Sequence, residues 1–181
     1  RGQTRTGWLE SRHSFSFGDY YDPANENFGP LRVINEDWIA GGAGFPPHPH
    51  RDMEIVTYIL GGAIAHKDST GGGGTIRPGE IQRMSAGSGI VHAEFNASPD
   101  QTCHLLQIWI VPSKKGIEPG YEQKAIDAKA VQNHFARIAA PEPNANEVRL
   151  VQDAEIWAAM LEAEVEAIHV LSPGRKAWLH L

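Results

Sequence analysis

Short runs rich in β-branched and aromatic residues, four to eight residues long, recur between residues 31 and 111 of this chain. Gly, Pro, Asn or Asp separates most of these runs, and no long run with the helical period of 3.6 interrupts them. This pattern predicts an all-β fold built as a sandwich or a barrel. The clearest predicted strands are residues 31–34, 54–60, 63–66, 80–84, 89–95 and 104–111.

The pattern changes after Pro112, where a polar, turn-rich stretch and a stretch of mixed polarity together predict a linker. Strand-like runs return after Pro143, whereas residues 154–167 are ambiguous because Ala, Leu, Met and Glu favour helix. We therefore expect a first domain at residues 1–128, and a linker with the start of a second β domain at 129–181. The predicted strands of that second part are residues 148–151, 167–171 and 176–181.

The two ends and the glycine tract carry weaker signals. The chain begins without a methionine and stops within a strand-like run, so we expect a fragment whose second domain is truncated. Residues 71–74 are four consecutive glycines, but no Lys-Ser/Thr follows them as in a phosphate loop. The tract is therefore interpreted as a hairpin connection that carries no chemistry.

Composition excludes several classes of function. The 181 residues include 16 Lys and Arg against 22 Asp and Glu, a formal charge of -6, which disfavours direct nucleic-acid binding. No run approaches the roughly 20 apolar residues of a membrane span, so we expect no membrane partner and a soluble protein. Cys103 is the single cysteine, which suits a reducing compartment and predicts a cytoplasmic location.

Two short segments place potential metal ligands two residues apart. His48 and His50 flank Pro49, and residues two apart in extended chain point to the same face. The prolines of this segment favour extended backbone, which prepares that geometry. Downstream, His92 and Glu94 repeat the spacing, so a second strand offers an imidazole and a carboxylate on one face. Together the pairs predict four ligands for one divalent transition metal ion.

A single His-x-His is weak, because most such pairs are surface or structural histidines. The residues around the His48-Pro49-His50 pair form a more specific pattern. Gly42, five residues, His48-Pro49-His50, three residues, Glu54, six residues and Gly61 match the first cupin motif. The second cupin motif is looser, since Ser85 stands where the general pattern has proline and His92 comes two positions late.

The sequence resembles the pirin family of bicupins, and in particular bacterial pirins of the quercetinase type. The hallmarks are residues 45–54, FPPHPHRDME, and residues 84–94, MSAGSGIVHAE, with supporting similarity at 13–17, 66–69 and 107–109. The resemblance covers the whole chain and implies tandem cupin β-barrels, with the metal in the first barrel and none in the second. By the same analogy, residues 154–161 would be strand.

The resemblance also implies the ligand set and the activity. The family pattern carries the metal ligands onto His48, His50, His92 and Glu94, so that Glu54, a ligand in many other cupins, would stand aside. The metal would be iron by preference, with nickel, cobalt, manganese and zinc left open. Resemblance to bacterial pirins implies quercetin 2,3-dioxygenase activity on a flavonol and O₂, with Glu94 as the catalytic base.

A second class of function stays open. Eukaryotic pirins are regarded as iron-dependent partners of transcription factors, so a metal-binding interaction protein without turnover is the alternative to an oxidoreductase. The acidic balance predicts that such a role would use a protein partner and not DNA. An open coordination position facing a cavity would favour catalysis, whereas closure by protein ligands would favour a structural role. Phe45 and Phe95 are candidate walls for a flat ligand.

Overall fold

The computed structural model describes residues 1–181, and its regular secondary structure is β-strand apart from one helical turn. This confirms the predicted all-β class. The elements are β1 Gly2–Arg5, β2 Leu9–His13, β3 Leu31–Ile39, β4 Gly44–His50, β5 Glu54–Gly61, β6 Ile64–Asp68, β7 Gly73–Ile76, β8 Glu80–Ser85, β9 Ile90–Asn96, β10 Cys103–Ile110, β11 Gly120–Ala125, α1 Ala128–Val131, β12 Ala136–Ala140, β13 Val148–Arg149 and β14 Ile156–Ala158.

Two antiparallel sheets enclose the interior of the first part of the chain. The larger sheet has the strand order β1-β2-β3-β10-β5-β8-β11, and the smaller sheet has the order β4-β9-β6-β7. Side chains of β9 contact side chains of β5 and β10, so the two sheets face each other. The site described below lies between them.

Alternation along β5 explains why this interior is apolar at both ends and polar in the middle. Ile55, Thr57 and Ile59 share the inward face because strand side chains alternate with a period of two. Ile55 joins one buried apolar cluster and Ile59 joins another, whereas Thr57 lies between them and bonds Glu94. The polar centre is thus shielded by hydrocarbon on two sides.

A third sheet, in the order β13-β12-β14, covers the outer face of the larger sheet. Ile138, Val148 and Leu150 are buried against Val56 and Ile81 of that outer face. Val56 is the neighbour of the inward-facing Thr57, and adjacent strand residues point to opposite faces. This packing attaches the second part of the chain to the first.

The structure differs from the sequence-based expectations mainly in the second part. The ambiguous segment contains one short strand, β14, and the runs predicted as strands at residues 167–171 and 176–181 are not strands. A strand requires a hydrogen-bonded partner, and neither run has one. Within the expected linker, β11 instead extends the larger sheet beside β8. No helix of the structure has the length and hydropathy needed to cross a membrane.

Candidate metal centre

The site is built on the pairing of β4 with β9. In the register of β4 against β9, His48 lies opposite His92. A β-bulge on β4, between Phe45 and His48, interrupts this register. Strand β4 is the edge of its sheet, which is where a strand accommodates proline without losing ladder hydrogen bonds. The proline-rich segment therefore forms an edge strand, and its two histidines lie next to the central strand β9.

Three imidazoles converge at this point. The ring centroids lie 4.4 Å apart for His48 and His92, 4.8 Å for His48 and His50, and 4.9 Å for His50 and His92. One ring nitrogen of each residue lies within 4.8 Å of those of the other two. The structure thus brings together three of the four predicted ligands.

The hydrogen bonding of these rings fits a metal ion. His48 Nδ1 lies 2.7 Å from the carbonyl oxygen of Pro46, and since a carbonyl can only accept, Nδ1 carries the proton and Nε2 keeps its lone pair. The Nε2 atoms of His50 and His92 are buried and have no hydrogen-bond partner. Buried polar atoms without partners are rare in proteins, and neutral imidazole nitrogens are common metal ligands. The donor set therefore fits one transition metal ion.

The environment keeps these imidazoles neutral. Burial, reinforced by the neighbouring His48, lowers the pKa of His50 to about 4. Burial, reinforced by the imidazoles of His48, His50 and His66, lowers the pKa of His92 to about 3. Because only the neutral ring can donate a lone pair, these pKa values keep both side chains ready to ligate at neutral pH.

The carboxylate of Glu94 lies close to His92 but does not belong to the group of ligand atoms formed with His48 and His50. Its carboxylate is within 4.8 Å of ring nitrogens of His66 and His92, a second group that shares only His92 with the first. Thr57 Oγ1 donates to Oε1 at 3.4 Å, and Gln107 Nε2 donates to Oε2 at 2.8 Å. Burial raises the pKa of Glu94 to about 7. The role of Glu94 as a fourth ligand stays a prediction.

Glu54 stands apart from this group. It lies three residues before Thr57 on β5 and therefore points to the opposite face of the sheet. There its Oε2 accepts a hydrogen bond of 3.2 Å from the backbone N–H of Val151. Glu54 thus links the first part of the chain to the second, although it occupies the cupin-motif position that ligates metal elsewhere.

Several residues at the site carried little or no signal in the sequence. Trp109 packs edge-on against His50 with ring centroids 5.0 Å apart, and its Nε1 donates to Gln107. His66 is buried against His92, with 5.2 Å between the two ring centroids. These contacts depend on which strands pair and in what register, and local sequence does not specify either.

An open cavity of about 400 Å³ adjoins one of the three imidazoles, that of His50. It is lined by Pro49, His50, Arg51, Ser69, Gly89, Ile90 and Val91. Phe45 and Phe95 do not line it: Phe45 packs edge-on against Trp8, and Phe95 is 41% exposed. The cavity gives a small molecule access to His50.

Comparison with known proteins agrees with the sequence motifs. The pirin family model matches residues 1–110, and the model of the quercetinase C-terminal cupin domain matches residues 137–181. The chain belongs to the pirin family. The two matches also confirm the predicted tandem cupin class.

Relatives of this pirin are found among bacterial proteins. It is 43% identical to a quercetin 2,3-dioxygenase of Escherichia coli over all 181 residues, which span 77% of that relative. It is also 43% identical to a pirin-like protein of Caulobacter vibrioides, covering 96% of this chain and 75% of the relative. A crystal structure of the bacterial pirin YhhW from Escherichia coli in complex with nickel(II) matches with a TM-score of 0.81 and 45% identity, over 87% of this chain and 66% of that one.

Proposed function

We propose that this protein is a metal-dependent dioxygenase that oxidises a flavonol such as quercetin with O₂. In this proposal His48, His50 and His92 hold one divalent transition metal ion, and Glu94 is the fourth ligand. The observation that carries it is the pair of buried imidazole nitrogens without hydrogen-bond partners, those of His50 and His92, together with an open cavity that the His50 side chain lines. The relatives named quercetin 2,3-dioxygenase supply the substrate class.

The donor set leaves the identity of the metal open. Neutral imidazoles with one carboxylate suit iron, nickel, cobalt, manganese and zinc. The nickel(II) complex of the related bacterial pirin favours nickel as the first metal to test. When bound, such an ion would act as a Lewis acid towards an oxygen-bearing substrate.

Residues of the chain would provide substrate access, hold a ligand in place and accept a proton. The cavity beside His50 would admit the flavonol, and the indole of Trp109 would hold the imidazole of His50 in place. The carboxylate of Glu94 would accept the proton of the flavonol hydroxyl. Gln107 fixes Oε2 through a short hydrogen bond, whereas the hydrogen bond from Thr57 to Oε1 is long, so Oε1 is the freer proton acceptor.

Oxygen uptake tests the proposal. Protein loaded with one equivalent of nickel, iron, cobalt or manganese is mixed with quercetin and related flavonols, and O₂ consumption is followed with an electrode. We expect uptake that requires both metal and flavonol. A metal-loaded protein that consumes no O₂ with any flavonol contradicts the dioxygenase proposal, and the interaction-protein alternative would take its place.

A further inference from the structure

A fourth imidazole, that of His66, lies on the Nδ1 side of His92. Strand β6 pairs with β9 so that His66 lies opposite Glu94 and Asp68 lies opposite His92. His66 Nδ1 is 3.4 Å from His92 Nδ1, and His66 Nε2 is 3.1 Å from Asp68 Oδ2. The side chains of His66 and Asp68 are fully buried. These three residues form a continuous hydrogen-bonded row that ends at the candidate metal centre.

The chain holds the carboxylate of Asp68 firmly. Its Oδ1 accepts three hydrogen bonds, from Thr70 Oγ1 at 2.6 Å, from the Thr70 backbone N–H at 2.8 Å and from the Gly72 backbone N–H at 3.1 Å. A Cβ at position 72 would collide with the Asp68 carboxylate, so only glycine leaves room there. The glycine tract, interpreted from sequence as a plain hairpin connection, thus forms the turn that fixes Asp68.

Hydrogen-bond polarity determines where each proton lies. Asp68 Oδ2 can only accept, so His66 Nε2 carries a proton and, in the neutral ring, His66 Nδ1 is a bare acceptor. His92 Nδ1 must then donate to it, which leaves His92 Nε2 with its lone pair. That is the buried atom without a partner at the three-histidine group. The ring of Tyr121, 4.9 Å from that of His66, packs against the row.

We propose that Asp68 and His66 are positioning residues that hold His92 in the Nδ1-protonated tautomer, so that its Nε2 faces the metal. The inference rests on the metal centre of the proposed function, yet it concerns a property that the metal-free protein already has. Partners of this kind fix the orientation and tautomer of ligating histidines. His66 is therefore excluded as a ligand in its own right, although it lies within reach of His92 and Glu94.

Asp68→Asn tests this arrangement sharply. The three donors on Oδ1 require the amide oxygen of the new side chain at that position, so its NH₂ group must face His66 Nε2. His66 Nε2 then becomes the acceptor, His66 Nδ1 gains the proton, and His92 has to accept at Nδ1 and carry its proton on Nε2. The substitution nearly preserves volume but reverses both tautomers. Asp153→Asn, at an exposed site paired with Arg175, is the matched control.

The first measurement is the ¹⁵N spectrum of the histidine rings in metal-free protein at about pH 8, above the ordinary imidazole pKa of about 6.5. We expect His92 protonated on Nδ1 in the wild type and in Asp153→Asn, and protonated on Nε2 in Asp68→Asn. Wild-type His92 protonated on Nε2, or an unchanged tautomer in a folded Asp68→Asn variant, would overturn the proposal.

The second measurement is nickel affinity by calorimetry with nickel alone. Losing such a partner typically weakens metal affinity about 10- to 100-fold, which is the loss expected for Asp68→Asn. His66→Gln should lose less nickel affinity than Asp68→Asn, because its amide oxygen can still accept a hydrogen bond from His92 Nδ1. If Asp68→Asn fails to fold, His66→Gln takes its place in the test. Equal losses for both variants would count against the tautomer argument. A wild type that binds neither nickel nor, in parallel titrations, iron, cobalt or manganese would contradict the proposed function alone, since the metal-free spectra still decide the tautomers.

Discussion

Asp37 on β3 is a buried carboxylate with little to stabilise its charge. The residue is 2% exposed, its Oδ1 has no hydrogen-bond partner, and only the hydroxyl of Ser11 assists the ionised form. Burial, with a smaller contribution from the charge of Glu36, raises the pKa of Asp37 from 3.8 to about 6. The folded protein therefore binds the Asp37 proton more tightly than the unfolded chain does.

This pKa shift makes the free energy of unfolding depend on pH. The favourable contribution is complete below the unfolded pKa of 3.8 and is lost as the pH rises through about 6. Each pKa unit corresponds to about 1.4 kcal/mol, so a shift of about two units costs about 3 kcal/mol of stability at neutral pH. The amide in Asp37→Asn cannot ionise, and it removes that cost.

We therefore expect Asp37→Asn to stabilise the metal-free protein by up to about 3 kcal/mol at about pH 8 and to have little effect at about pH 4. Urea unfolding of both proteins at the two pH values measures the difference, with the slope against urea checked for equality. Asp153→Asn, on the surface, should change stability by less than about 0.5 kcal/mol at either pH. A gain of equal size at both pH values, or a loss at the higher one, would refute the reasoning.

Four further substitutions test the site and the core. His50→Ala and His92→Ala should each abolish stoichiometric nickel binding, measured by elemental analysis after gel filtration. The control His134→Ala, at an exposed position, should leave nickel binding intact. Retained binding in either site variant would contradict the ligand assignment. Glu94→Gln should lower the rate of flavonol-dependent O₂ uptake by about 10²- to 10⁴-fold while nickel occupancy falls less, and parallel losses of both would show a role in ligation alone. Leu105→Ala should cost about 2–5 kcal/mol in urea unfolding because Leu105 is 1% exposed within an apolar cluster, and a cost below 1 kcal/mol would show that the cluster collapses around the gap.

The sequence predicted the central strands because their hydrophobic alternation and turn residues are local signals. Strand β5 and strand β10 lie within a residue or two of their predicted bounds. Strand β4 was predicted as extended backbone but not among the clearest strands, because its three prolines obscure the alternation; an edge position accommodates them. The domain boundary near residue 128 and the cytoplasmic location stay predictions.

The site was predictable only in part, because local spacing is visible in the sequence whereas strand pairing is not. The His48–His50 and His92–Glu94 pairs are visible at a spacing of two, and that spacing alone places each pair on one face. His66 and Asp68 share that spacing, but their significance depends on β6 pairing with β9 across more than twenty residues of chain. Thr57 and Gln107 likewise reach Glu94 only because two sheets face each other.

The most direct test of the account is a crystal structure of the protein grown with one equivalent of nickel, with anomalous scattering used to locate the ion. The account predicts one ion per chain, ligated by Nε2 of His48, His50 and His92, with Glu94 turned towards it and His66 still bonded to His92 Nδ1. An ion held by His66 and Glu94 without His48 and His50, or no ion at the three-histidine group, would contradict it.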